Sequence, residues 1–199
     1  MLQACLLALV AGYADTIGYI RYDAFAGLMT GNTIFLGSEL ATGRFAAAAF
    51  HLAIIGSFLT GVVISQALIK QDFAPFHALC MTSVMLAICG FLPHGVAALL
   101  LALAMGMQNS AANRFNGVAL NTVFVTGNLQ KLGEGLVAWA WSSGSERSKS
   151  IDSTAIYAYV WIAYAFGAAA GALAHGLMTY PLLLPAMILP FIMPLNSRR

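Results

Sequence analysis

Asp15 is the residue of this chain best placed to do chemistry. It lies between Tyr13 and Gly18, well inside a stretch that is otherwise apolar. A charged side chain at that depth costs at least about 2.5 kcal/mol on insertion scales, and intramembrane acids mark ion and proton paths. One reading makes Asp15 a proton- or cation-coupling carboxylate, or an acceptor for a polar substrate. The other makes it a structural acceptor that caps a broken helix or partners Arg21.

Two triplets come next, Thr30-Gly31-Asn32 and Thr126-Gly127-Asn128. Glycine permits the backbone geometry that breaks a helix, and threonine and asparagine cap freed amides. A helix starting at mid-membrane aims free amides and a positive dipole end at whatever faces it. Two such ends would form a pocket for a carboxylate, an anion or a polar carbonyl. The competing reading is a packing and capping device without a ligand.

Gln108, Asn109 and Asn113 make one apolar stretch polar on part of its surface, which suits either a cavity wall or helix-to-helix hydrogen bonds. Lys131 and Glu134 stand three apart on one helical face and are expected to form a local ion pair. His51, His77, His94 and His175 show no metal-ligand spacing, and Cys5, Cys80 and Cys89 are scattered through apolar stretches. No metal site, cofactor, phosphate loop or nucleophile motif is expected, and the chain is not read as an enzyme.

The elements that position these residues must be helices in a membrane. Apolar residues make up 60% of the 199 and charged residues 8%, against roughly 25% charged in soluble domains. Nine basic and seven acidic side chains cannot cover a soluble surface. Eight apolar stretches fall near 1–20, 24–42, 45–69, 77–93, 95–113, 117–141, 154–175 and 177–195. Val96–Met107 is apolar on every face, which excludes a barrel strand. The fold class is therefore all-α, a polytopic transmembrane bundle forming a single domain. The first stretch is read as a retained span, and Pro181, Pro185, Pro190 and Pro194 should kink the last one.

The chain also reads as duplicated, with repeats at about 1–94 and 95–199. TGNTIFLGSEL at 30–40 matches TGNLQKLGEGL at 126–136 in six of eleven places, 96 positions apart. Upstream, Gly12-Tyr13-Ala14-Asp15 lies opposite Gly106-Met107-Gln108-Asn109. Arg21-Tyr22-Asp23 echoes Arg114-Phe115-Asn116. Downstream, Ser57-xxx-Gly61 is set against Gly167-xxx-Gly171. Two arrangements follow. If the TGN stretches span, the repeats have four helices each and run parallel, which is the favoured expectation. If they re-enter, there are three spans each and the repeats are inverted, a plan seen in secondary transporters. With eight spans, Arg44, Arg147, Lys149, Arg198 and Arg199 share one side, against Arg21, Lys70 and Arg114. The basic excess makes that side, with both termini, cytoplasmic.

The motifs Gly12-Tyr13-x-Asp15-x-x-Gly18, Met29-Thr30-Gly31-Asn32, Gly106-Met107-Gln108-Asn109 and Val125-Thr126-Gly127-Asn128 resemble the YoaK-like family of small bacterial membrane proteins. The resemblance covers nearly the whole chain. It implies a multi-spanning protein of the bacterial inner membrane and brings no substrate with it.

The expected function is a small transporter or permease for a polar or anionic molecule, with proton coupling through Asp15 as one form of it. The alternative is a sensor, scaffold or subunit of a larger membrane complex. The expected partners are the lipid bilayer and a small-molecule substrate, not nucleic acid. A homo-oligomer is allowed.

Overall fold

A computed structural model of the chain describes residues 1–111, 114–115, 118–119, 122–123, 125–141 and 145–192. Asn113, Asn116, Pro194, Arg198 and Arg199, named above, lie outside the described residues. Eight helices are described: α1 (Leu2–Tyr22), α2 (Met29–Ala41), α3 (Phe45–Lys70), α4 (Pro75–Cys89), α5 (His94–Ala111), α6 (Val125–Trp141), α7 (Ser145–Leu177) and α8 (Leu183–Ile192). Between α5 and α6, Arg114–Phe115 pairs antiparallel with Val118–Ala119. By length and composition, α1, α3 and residues Thr154–Leu177 of α7 can each cross a membrane.

The element boundaries refine the reading from sequence. The break expected at the first TGN triplet lies just ahead of it: 23–28 is non-helical, and α2 starts one residue before the triplet. The chain breaks ahead of the triplet, where the Gly27 and Leu28 amides are bonded to the Asp15 carboxylate and not to a preceding turn of helix. The polar connection at Ser142–Ser153 is helical from Ser145 onward, because Ser145-Glu146 makes a good helix start. In the last stretch α8 starts only at Leu183, after a turn that contains Pro181, a residue suited to turns and not to helix interiors.

Glycines set the closest helix contacts. A Cβ on Gly12 of α1 would strike the Tyr164 carbonyl of α7, and one on Gly167 would strike the Leu9 carbonyl of α1. In the same way Gly61 of α3 lies against the Leu103 carbonyl of α5, and Gly106 of α5 against the Phe58 carbonyl of α3. Only glycine lets backbones approach so closely.

Contacts along each helix fix its direction. In α1 and α7, Leu9 meets Gly167, Tyr13 meets Gly171 and Arg21 meets His175, so these helices run parallel. In α3 and α5, Phe58 meets Gly106 and Gln66 bonds Ser110, so they also run parallel. Gln108 of α5 instead bonds Leu7 of α1, while Leu101 lies beside Gly18, so α1 and α5 are antiparallel. Ser83 of α4 bonds Ala186 of α8 and Gly90 lies beside Tyr180, making α4 and α8 antiparallel too. One end of the bundle, the Met1 face, thus holds the starts of α1, α4 and α7. The opposite Tyr22 face holds the starts of α3, α5 and α8.

The ends are pinned by specific polar contacts. Asp23 terminates α1 in the left-handed region (φ 52°), which a short polar side chain tolerates. Arg21 donates to the carbonyls of Met178 (2.9 Å) and Thr179 (2.8 Å) and to His175 Nδ1 (3.0 Å). It satisfies carbonyls that the end of α7 leaves unpaired.

Candidate functional site

The site begins with the segment that joins α1 to α2. From Asp23 the chain doubles back along α1. Ala24 N–H donates to Gly18 O at 3.4 Å, and Phe25 stacks on Tyr19 with ring centroids 5.2 Å apart. Three residues deeper, Gly27 N–H donates to Asp15 Oδ1 at 2.6 Å and Leu28 N–H to the same oxygen at 3.2 Å. Asp15 lies seven residues before the end of α1, about 10 Å below it at 1.5 Å per residue. At that depth α2 starts and runs back toward the Tyr22 face. Phe35 regains the level of Phe25, stacking on it at 5.8 Å. With 13 residues, α2 is about 20 Å long, short of the ~30 Å hydrocarbon core.

Asp15 is 3% exposed. Its second oxygen accepts a hydrogen bond from the Tyr164 hydroxyl of α7 at 2.5 Å. Two amides and one phenol therefore converge on this carboxylate. The N-cap amide of α2, Leu28, and the Gly27 amide before it are thus engaged by the protein's own carboxylate, at the end of a helix that would otherwise attract an anion. Arg21, the other partner considered for Asp15, is engaged at the end of α7 instead.

The first TGN triplet completes the hairpin. Asn32 is fully buried; its Oδ1 accepts from Phe25 N–H at 3.0 Å and its Nδ2 donates to Phe25 O at 2.8 Å. One side chain thus satisfies both backbone groups of a residue outside any helix, which would otherwise be costly to bury. Gly31 leaves room for the Phe25 ring, whose Cδ2 would lie 2.6 Å from a Cβ there. Thr30 is exposed.

In the second half, Asn128 is buried and engaged, while Thr126 and Gly127 are exposed. α6 runs antiparallel to α7, with Gly135 against Thr154 and Lys131 Nζ 5.5 Å from the centroid of the Tyr157 ring. α6 therefore heads for the Met1 face. Among the described residues, the ion pairs do not include Lys131 with Glu134. Glu134 accepts from Gln130 at 2.8 Å, an i,i+4 contact, and Lys131 turns to the aromatic ring.

Gln108 is fully buried. Its Nε2 donates to Leu7 O at 3.0 Å, and its Oε1 has no partner among the described residues. Leu7 lies eight residues before Asp15, about 12 Å along α1, so Gln108 and Asp15 do not share a pocket. Asn109 is half-buried beside it.

Three contributors were not singled out from sequence. Tyr164 belongs to no motif in the sequence, and nothing there marks its contact with Asp15. Gly27 and Val123 also escaped notice. A Cβ on Gly27 would collide with Cγ1 of Val123 and lie 3.6 and 3.7 Å from the Asp15 oxygens. The segments leading into α2 and α6 therefore meet beside Asp15.

The family model for a protein of unknown function, DUF1275, matches residues 3–195. The chain belongs to the DUF1275 family. It is 26% identical over 184 residues to the UPF0700 transmembrane protein YoaK of Bacillus subtilis (strain 168), covering 85% of this chain and 81% of that one. It is 31% identical over 137 residues to the UPF0700 transmembrane protein RA0705 of Rhizobium meliloti (strain 1021), covering 67% of this chain and 60% of that one. No solved structure matches. Membership agrees with the resemblance carried by the TGN and Gly12-to-Gly18 motifs. With its apolar helices, it makes this DUF1275 chain a transmembrane protein.

Proposed function

We propose that the protein is a permease for a small polar solute in the bacterial inner membrane, with the solute path running where two re-entrant hairpins meet. The observation that carries this reading is the contact of Gly27 with Val123 beside Asp15. From that level α2 returns to the Tyr22 face and α6 runs to the Met1 face. Broken helices that end at mid-depth are tolerated only where protein or a water-filled cavity covers them, and in transporters they line the binding site.

The helix directions favour the inverted form of the internal repeat. If residues 1–94 and 95–199 are equivalent units, α1 corresponds to α5 and α4 to α8. Each of these pairs is antiparallel, as a two-fold axis in the membrane plane requires. The contacts correspond in the same sense. Gly12 on Tyr164 matches Gly106 on Phe58, and Gly167 on Leu9 matches Gly61 on Leu103. They align Gly61 with Gly167, four positions from the pairing that small-residue spacing gave. Gly27 and Val123 are 96 positions apart, as the TGN triplets are.

Six spans with two re-entrant hairpins also sharpen the charge bias. Among the described residues, Lys70, Arg114, Arg147 and Lys149 then fall to the Met1 face, and Arg21 and Arg44 to the other, with Lys131 within α6. Four against two makes the Met1 face cytoplasmic.

The engaged amides narrow the solute. Asp15 fills the anion position at the start of α2, so an uncharged polar solute or a small cation fits this half better than an anion. Asp15 acts here as a positioning residue that holds the hairpin in place, in preference to a titrating one. Stopped-flow light scattering on proteoliposomes, with urea, glycerol, ammonium and formate as probes, tests the reading. It predicts faster equilibration than in empty vesicles for urea, glycerol or ammonium. Rates equal to empty vesicles for all four probes would contradict it.

A second reading, a subunit of a membrane complex or a homo-oligomer, is favoured by α6. This helix leaves Gln130, Lys131 and Glu134 exposed on the outside of the bundle, where a neighbouring chain would cover them. Purification from mild detergent as a stoichiometric complex would support it.

A further inference from the structure

We infer that Val123 is the constriction of the solute path, seated in the space that the missing side chain of Gly27 leaves; this rests on the permease reading. Val123 is fully buried, and its Cγ1 occupies the position that a Cβ on Gly27 would take. That position is 3.6 and 3.7 Å from the two carboxylate oxygens of Asp15. A single valine methyl therefore closes the gap between the two hairpins and screens a buried carboxylate.

Thr122, the preceding residue in the chain, is fully buried, and its hydroxyl has no hydrogen-bond partner among the described residues. A buried hydroxyl without a partner is costly unless a water or solute supplies the bond. Asp15, held by the first hairpin, stands at the constriction, and the Val123 methyl beside it is the barrier. A solute able to pass must be small and must carry hydrogen-bond donors, which a carboxylate accepts.

The geometry sets opposite expectations for shortening and lengthening this side chain. Val123→Ala removes the methyl that fills the gap and should raise the flux of urea, ammonium and glycerol severalfold over the native protein. Val123→Ile adds bulk at the same point and should lower flux. Val63→Ala, on the exposed outer surface of α3, should leave flux unchanged. The measurement is stopped-flow light scattering on proteoliposomes of equal protein content, with size-exclusion profiles confirming folded protein. Higher flux in Val123→Ala, whether or not the native protein conducts, supports the constriction. Conduction by the native protein that neither substitution changes would overturn the constriction while leaving the permease reading intact. No conduction by any of the proteins would overturn both. Should Val123→Ala not fold, Val123→Ile alone decides: reduced flux supports the constriction and native flux overturns it.

Discussion

Tyr164 of α7 donates its hydroxyl hydrogen to Asp15 of α1 at 2.5 Å, joining residues 149 positions apart. With the Gly27 and Leu28 amides on the other oxygen, this contact ties the first hairpin to a helix from the far end of the chain. Side-chain hydrogen bonds inside membranes contribute about 0.5–2 kcal/mol. Tyr164→Phe should therefore lower stability in detergent by an amount in that range. Asp15→Asn should cost more, since its amide group turns a donor toward other donors and leaves one unpaired, at about 1–3 kcal/mol. In a double-mutant cycle followed by thermal denaturation, the two changes should be non-additive. Additive losses would show that the contact contributes no coupling.

Asn32 should be replaceable only at a cost. Asn32→Asp keeps the acceptor for Phe25 N–H but sets an oxygen against Phe25 O, where an amide now donates at 2.8 Å. Loss of the bond leaves a buried carbonyl unmatched, at about 1–3 kcal/mol. The expected outcome is a lower melting temperature and faster proteolysis within 23–28 than in the native protein. Native values for both would remove Asn32 from the role of holding the hairpin.

The glycines divide into two groups with opposite expectations. Gly12→Ala and Gly106→Ala put a methyl group into a facing carbonyl, and each should destabilise by about 1–3 kcal/mol or more, as overpacking does. Gly56→Ala, where nothing lies within 4 Å, should be neutral or raise stability by up to about 1 kcal/mol through helix propensity. Melting curves of the three variants in one detergent check this. Equal effects at Gly56 and Gly12 would mean that the tight glycine contacts do not set the helix packing.

Composition made the helical membrane class legible, because so few charged residues can be solvated only if lipid covers the rest. The TGN triplets and Asp15 also stood out, since polar groups in apolar stretches are expensive. What the sequence hid was geometry. Residues 24–42 are apolar enough to span, so nothing local announces that 23–28 turns back along α1; that depends on Asp15 accepting two distant amides. Tyr164 and Val123 are ordinary residues for a membrane helix and its approach. Their roles come from contacts with Asp15 and Gly27, which no spacing within their own segments encodes. Around Lys131 and Glu134, too, the contacts seen were not read from sequence: Gln130 donates to Glu134 one turn away, and Lys131 lies over Tyr157 of another helix.

The direction of the chain at the first TGN triplet tests the account most directly. In a background with Cys5, Cys80 and Cys89 changed to alanine, single cysteines at Leu2, Thr42 and Gln71 can be labelled in intact cells with a membrane-impermeant maleimide. The re-entrant arrangement predicts that Thr42→Cys labels from outside, whereas Leu2→Cys and Gln71→Cys label only after lysis. If Thr42→Cys and Leu2→Cys share one face and Gln71→Cys takes the other, the TGN stretch spans the membrane and the meeting of two hairpins is contradicted.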